Sequence, residues 1–364
     1  MRPTTLIQLL RHRWPLLALA ACLVLAQLPT LISAGYNNVG GLALNRAQIE
    51  PGLTPAEVTA AYTAAGRDFQ QALKLAPGYG RPYANLGAIY ADFGDTVAGA
   101  QAYAEATRYA PDDRLAQYFY GQSLAALGDE AAARDAWTAA QAAGVFIRQA
   151  NALKSSDPEG ALLNAERALA IAPDAPESIL ALGGVLTAQK LYTDALGLYE
   201  EAIARMPEEP DYYREAGILL RRHLGRADDA ISMLEQAIRL RPEDEAARLE
   251  LARIHSALGA CYEAEVWLTQ LLSHTPLTSN EVQAHTIAGQ CHLAQDRPQT
   301  AIPYLEAATS GDKPSIGTLL LLAGAYEDID RLDDARDTYT RILELKPDHA
   351  GAQKALDELA EMAP

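Results

Sequence analysis

An all-α fold built from repeated helix–turn–helix units is what this sequence predicts, and three observations predict it. The chain is rich in Ala, with few Val and only four Phe in 364 residues, a balance that favours helix over strand. Pro closes a helical stretch at Pro77, Pro111, Pro173, Pro207, Pro242, Pro276 and Pro347. Several of these closures recur at a fixed period, 34 residues from 77 to 111, from 173 to 207 and from 242 to 276. No linker or low-complexity block divides the chain after its first fifty positions, so one continuous architecture is expected.

The first element is apolar. Trp14 to Ala34 is a run of 21 residues without a charge, which as a helix covers roughly the 30 Å of a bilayer's hydrocarbon core. Arg2, Arg11 and Arg13 precede it, and the first acidic residue is Glu50. Setting those three arginines aside leaves 27 basic against 47 acidic groups, a formal charge of minus 20. The positive-inside rule then places residues 1–13 in the cytoplasm as a basic tail, 14–34 in the membrane, and the rest outside the cytoplasm. Ile32-Ser33-Ala34 before Gly35 leaves a cleaved signal as the other reading, with a secreted or periplasmic product. Leu19-Ala20-Ala21-Cys22 has the look of a lipoprotein box, with too few apolar residues before Cys22 and too many after it.

Residues 35–79 read as a linker and a degenerate first repeat, in which Asn38-Val39-Gly40 echoes Asn85-Leu86-Gly87. Thr54, followed by Pro55, is placed to cap a helix running to Ala76. The clearest unit follows, with Tyr83, Leu86-Gly87, Tyr90, Gly99, Tyr103, Ala106 and Pro111. The next has Tyr120-Gly121, Leu124, Ala133, Trp137 and Ala140, then a shortened join near Gly144. After it come Ala161, Ala165, Ala168 and Pro173, then Leu182-Gly183, Leu186, Ala195, Tyr199, Ala202 and Pro207. The following unit has Ala216-Gly217, Leu220, Ala230, Leu234, Ala237 and Pro242, with one extra residue around His223 to Gly225. Three more units carry Leu251, Ala264, Leu268 and Pro276; Ala288-Gly289, Ala301 and Leu305; and Leu322, Tyr326, Ala335, Tyr339 and Pro347.

In these residues the sequence resembles the tetratricopeptide repeat family, whose 34-residue unit pairs Leu-Gly and an aromatic in a first helix with Ala, an aromatic and a closing Pro in a second. The resemblance implies a right-handed superhelical solenoid of about eight repeats over residues 80–349. Residues 350–364 then form a C-terminal capping helix, with Leu356 and Leu359 on one side and Lys354, Asp357, Glu358 and Glu361 on others.

Enzymatic chemistry is not expected, because the chain has no Gly-rich phosphate loop, nucleophile elbow or His-Glu-x-x-His pair. The acidic body repels nucleic acid. No cofactor or metal is expected: His285, His292 and Cys291 offer ligand chemistry, yet the histidines fall where other units place Tyr83 and Tyr90, and read as core. Cys261 and Cys291 fall on neighbouring helices, where a disulfide or simple packing of two thiols both fit.

The family resemblance implies that first helices line a concave groove that holds a partner. The corresponding places here are Tyr118, Gln122, Phe146 and Leu180, then Arg214, Arg221 and Arg253, with Arg222 and Arg248 adjacent to them. Two readings of the arginines stay open: a patch for an acidic partner segment or a chain-terminal carboxylate, or pairing with local acids such as Glu215 and Glu250. The family's Lys/Asn clamp is absent, since its places are Ala84 and Ala88. The leading functional expectation is an extracytoplasmic protein-interaction scaffold, anchored by its N-terminal helix. A second is an accessory subunit of envelope polysaccharide or glycosyl-transfer machinery, which would present groove aromatics such as Tyr118, Phe119 and Phe146 to a glycan.

Overall fold

The computed structural model describes the backbone of residues 3–269, 271–272, 278–311 and 313–361, and their side chains from residue 26 onward. Every regular element among the described residues is a helix. Contacts divide the chain into two compact units, residues 1–178 and 179–364. The first unit holds α1 (Pro3–Ile49) with α2 (Pro55–Leu75), α3 (Gly80–Asp92) with α4 (Thr96–Tyr109), α5 (Arg114–Ala126) with α6 (Glu130–Ala139), and α7 (Ala143–Leu153) with α8 (Pro158–Ile171). The second holds α9 (Pro176–Ala188) with α10 (Tyr192–Arg205), α11 (Pro210–Leu219) with α12 (Ala227–Leu240), and α13 (Glu245–Ala257) with α14 (Cys261–Leu268). It continues with α15 (Ser279–Ala294) and α16 (Pro298–Ala308), α17 (Ile316–Glu327) and α18 (Leu332–Leu345), and the terminal α19 (Ala350–Glu361).

Each helix starts and stops for a local reason. Thr54 and Thr278 close capping boxes with Glu57 and Glu281, while Asp95, Asp113, Asp129, Asp157 and Asp244 accept hydrogen bonds from the first-turn amides of their helices. In most of the hairpins the turn uses one residue in the left-handed region. Gly94, Gly128, Gly225 and Gly259 supply it, and Lys190, Asp296 and Asp330 adopt it despite their side chains.

What joins the two helices of most hairpins is a missing side chain on the first and a large one on the second. A Cβ at Gly87 would lie 2.9 Å from the Tyr103 ring, one at Gly121 2.4 Å from Trp137, one at Gly183 2.3 Å from Tyr199, and one at Gly289 2.6 Å from Leu305. In all four the partner stands sixteen residues on. In the last hairpin Ala323 and Tyr339 hold the same two places, and both are buried. Gly217 meets Leu234 at 2.7 Å, but seventeen residues on. The extra residue is taken up by a π-helical turn, Leu220–Leu224, that ends at Gly225 with φ 66°. One additional residue per turn lets an insertion pass without breaking either helix.

The N-terminal region departs from the expected linker. Residues 35–49 are the last part of α1, continuous with the apolar segment, and they pack on α2 as a first helix does. Gly40 lies against the Phe69 ring, where a Cβ would be 2.7 Å away, and Leu44 is buried beside it. Ser33 Oγ donates to Ala72 O at 2.9 Å, and Asn85 donates to Asn37 at 2.9 Å. Among the described residues no helix is long and apolar enough to cross a membrane. The side chains of Arg2, Arg11, Arg13, Trp14 to Leu25 and the 19–22 box, like Pro276, lie outside the described residues. At the other end α19 covers the last hairpin with Leu359, and Leu356 packs against the same cluster.

This packing sets an expectation for two glycines. Gly311 has open space around its Cα and no left-handed φ. Gly183→Leu is therefore expected to cost at least the ~1–3 kcal/mol of a typical overpacked core, and Gly311→Leu little, as read from thermal melts. Equal shifts would contradict the glycine–tyrosine register.

Candidate functional site

The first helices of unit 2 carry the charged residues singled out above, and their surroundings separate them into two groups. Arg214 lies within a surplus of acid. It pairs with Asp211, with Asp244 at 3.0 Å and with Glu215 at 3.2 Å. Arg241 bonds Asp211 at 2.8 and 3.1 Å and faces Glu209 at 3.6 Å. Burial alone would weaken the Arg214 charge, but Asp244, Asp211 and Glu215 outweigh it and raise its pKa. This is a closed ion network between α11 and α13, with a buried Asp244 that also caps α13.

Arg221, Arg222 and Arg253 have the opposite balance. All three point at Glu250, whose side chain is 5 % exposed. Arg221 reaches one carboxylate oxygen at 2.5 Å, Arg222 pairs with the other, and Arg253 stands 3.9 Å away. Arg253 also bonds Gln283 on α15. Burial is the main reason its pKa is lowered, and repulsion from Arg221 and Arg222 adds to it. The Nε atoms of Arg221 and Arg253 are buried with no hydrogen-bond partner among the described residues. Three guanidinium groups on one carboxylate leave two positive charges in excess on this face.

Beside this cluster lies a cavity of about 420 Å³ between α13, α15 and the start of α17. Its walls include Arg253, Ser256, Gln283, Thr286, Gln290 and Thr318. Ser315, the N-cap of α17, also lines it and makes no capping bond through its side chain. The amide groups at the start of α17 and the excess guanidinium charge therefore act in the same direction, in favour of an anion. The lining hydroxyls and amides were not singled out by sequence. Nor was Arg222 placed in the set: the π turn in 220–224 alters the register, and the extra residue near His223 is the signal that could have indicated it.

The candidates in unit 1 fare differently. Phe146 is fully buried, in edge contact with Trp137 at 4.9 Å, and is a core residue; this corrects the expectation that it meets a ligand. The helix α7 follows α6 after only three residues, which turns Phe146 inward on the preceding hairpin. Tyr118 is half-buried, and its hydroxyl accepts from Gln122 at 2.7 Å and Gln149 at 3.3 Å. Phe119 stacks on Tyr103 at 5.9 Å. Arg248 is bonded to the Pro242 carbonyl, and Leu180 is half-buried.

His285 and His292 flank Tyr304, with ring centroids 5.9 and 5.2 Å away. His292 is buried, with Nε2 3.6 Å from Glu265. Among the described residues no group of three potential ligands could hold a metal ion. Cys261 and Cys291 are buried free thiols in one small apolar cluster, and burial pushes Cys291 up to about 12.

Two sequence profiles described as tetratricopeptide repeat match the chain, one at residues 85–144 and 151–210, the other at 222–284 and 292–359. No curated protein sequence matches it. Among solved structures it is similar to PilF of Pseudomonas aeruginosa, at 19% identity and TM-score 0.51, over 62% of this chain and 99% of that one. It is also similar to yeast Tom70, at 13% identity and TM-score 0.41, over 91% and 88% of the two chains. A tetratricopeptide repeat protein from Parabacteroides merdae aligns at 14% identity and TM-score 0.41, over 77% and 98%. At these identities the likeness is one of fold.

His292, which is buried, and His285, which is half-buried, give a pH expectation. Burial lowers both pKa values below the ordinary 6.5, with Glu265 and Glu281 opposing it. The unfolded chain therefore takes up protons first as pH falls, so stability present above about 6.5 is lost below it, at up to ~1.4 kcal/mol per pH unit for each histidine. Melting followed from about pH 7.5 to 5.5 should show this decline, and His292→Gln should flatten it; an unchanged slope would place the titration elsewhere.

Proposed function

The chain belongs to the tetratricopeptide repeat family, and from that premise we propose that it is an interaction scaffold holding an acidic segment of a partner protein on the first-helix face of unit 2. The observation that carries this reading is the sharing of Glu250 by three arginines beside a polar cavity. A fold stabilised only by its own ion pairs has no need of two surplus charges where burial already weakens one of them. An incoming carboxylate matches the planar donors of Arg253 and Arg221 and receives the lining hydroxyls and amides as further donors. Arg214 takes no part, since acids already surround it.

The glycan alternative has less support, because Phe146 is in the core and Phe119 is stacked on Tyr103. The family's usual role is binding of protein or peptide.

For the location, we propose a single-pass protein with residues 35–364, and so the repeats of both units, outside the cytoplasm. The support is the sequence: an uncharged run of 21 residues preceded by three arginines and followed by every acidic residue. Cleavage after Ala34 would take Ser33 and its bond to Ala72 out of the hairpin that α1 forms with α2. Retention of the segment is accordingly part of the proposal. Protease added to spheroplasts should digest both units; full protection with intact membranes would overturn the orientation.

The binding test uses arrays of extended peptides bearing Asp and Glu, each with a free-acid and an amidated C-terminus, against uncharged controls. Acidic peptides should bind, and the triple variant R221Q/R222Q/R253Q should lose at least about tenfold in affinity, the equivalent of ~1.4 kcal/mol, with a weaker salt dependence. Arg214→Gln should lower the melting temperature instead. Equal binding of uncharged peptides, or unchanged affinity in the triple variant, would refute the site.

A further inference from the structure

The helix α1 buries one face and leaves a second apolar one uncovered. Ser33, Asn37, Gly40, Leu44 and Gln48 are the residues it turns toward α2 and α3, through the contacts of Ser33, Asn37 and Gly40 described above, the burial of Leu44, and a Gln48–Asp92 hydrogen bond of 2.8 Å. On the other side Leu28, Ile32, Gly35, Val39, Leu42, Arg46 and Ile49 are all exposed. They fall at alternating intervals of four and three residues, within an arc of about 100° at 100° per residue. Leu42 is 72% exposed, Ile49 75% and Val39 56%. Nothing lies within 4 Å of where a Gly35 Cβ would stand. Scattered exposed apolar residues need no explanation, but a heptad stripe of ~32 Å, broken by a charge only at Arg46, does.

Lipid covers only part of it. This step rests on the membrane reading above: with the apolar run ending at Ala34, Val39 stands ~8 Å and Ile49 ~22 Å beyond the hydrocarbon. Leu42 and Ile49 would face water unless a protein surface met them. Copies inserted in one membrane share one orientation, so their stripes run parallel and in register, each residue opposite itself. The surface suits self-association in an otherwise acidic protein. Between residues 26 and 49 the single charged residue is Arg46, and its guanidinium is 2.7 Å from Glu50 of its own helix. The positions flanking the stripe are Leu31, Tyr36, Asn38, Ala43 and Asn45, none of them charged. Gly35 lets two backbones approach closely at the membrane exit.

We infer that α1 is a dimerisation helix, pairing in parallel with α1 of a second copy through Leu28, Ile32, Gly35, Val39, Leu42 and Ile49. The full chain, with Cys22, Cys261 and Cys291 replaced by Ala, carries Val39→Cys or Leu42→Cys, or Val97→Cys on α4 as an exposed apolar position away from the stripe. Mild oxidation in native membranes should convert most of the V39C and L42C chains, but not V97C, to a species of twice the chain mass. The same chain purified in detergent should have a dimer's mass that falls to a monomer's with Val39→Glu and Leu42→Glu, while the melting temperature is kept because both positions are exposed. Absence of the doubled species in membranes where protease reaches both units would overturn the dimer and leave the anchor standing. A crosslinked species of another mass would assign the stripe to a different partner and overturn it as well. Should the chain not be found in membranes, the purified protein still decides: a monomer refutes the pairing, and a dimer abolished by the two Glu substitutions supports it.

Discussion

The contact on which the rest of this structure depends is the seating of one large side chain on a glycine inside most of the helical hairpins. With no Cβ at Gly87, Gly121, Gly183 or Gly289, the second helix comes close enough for Tyr103, Trp137, Tyr199 or Leu305 to lie on the first helix's backbone. That contact fixes how deep the hairpin is and therefore which residues of each helix remain for the neighbouring unit. It also explains the sixteen-residue spacing better than either helix's propensity does. A helix pair of this length has little stability alone, so the hairpins gain theirs by stacking.

The hairpin of α11 and α12 accommodates a departure from this spacing. One inserted residue is absorbed as a π turn at 220–224, and Leu234 still reaches Gly217. Arg221 and Arg222 lie in that turn, and both meet Glu250 of the next hairpin. The local irregularity and the positive surplus thus coincide. Arg214, two helix turns earlier on regular backbone, is surrounded by acids and serves the fold. Two arginines seven residues apart on one helix have opposite electrostatic surroundings, decided by what α13 places against each.

At the other end, α1 joins two roles in one piece of backbone. Its apolar start runs without a break into the first helix of the first hairpin, through Ser33, Asn37, Gly40 and Leu44. A continuous helix transmits orientation where a linker would not, so whatever holds residues 14–34 also orients the first repeat.

The helical repeat was legible in the sequence because it depends on local rules: Pro after each second helix, Asp or Thr at caps, Gly where two backbones meet. The core placement of His292 followed from the same periodicity. The sequence also named Glu215 and Glu250 as the acids beside the arginines. It could not say which arginine each would neutralise, because charge balance depends on distances between helices some thirty residues apart. It placed Phe146 on a groove because the shortened α6–α7 join hides how far the next helix turns, and only the packing on Trp137 shows the ring facing inward. Within the linker and degenerate first repeat expected over 35–79, residues 35–49 are helix. The echo of Asn85-Leu86-Gly87 at Asn38-Val39-Gly40 pointed to Gly40, but the Phe69 ring it packs against belongs to the next helix. Periodicity, which is local, was determined by the sequence; pairing of charges and the facing of side chains across helices were decided by the tertiary structure.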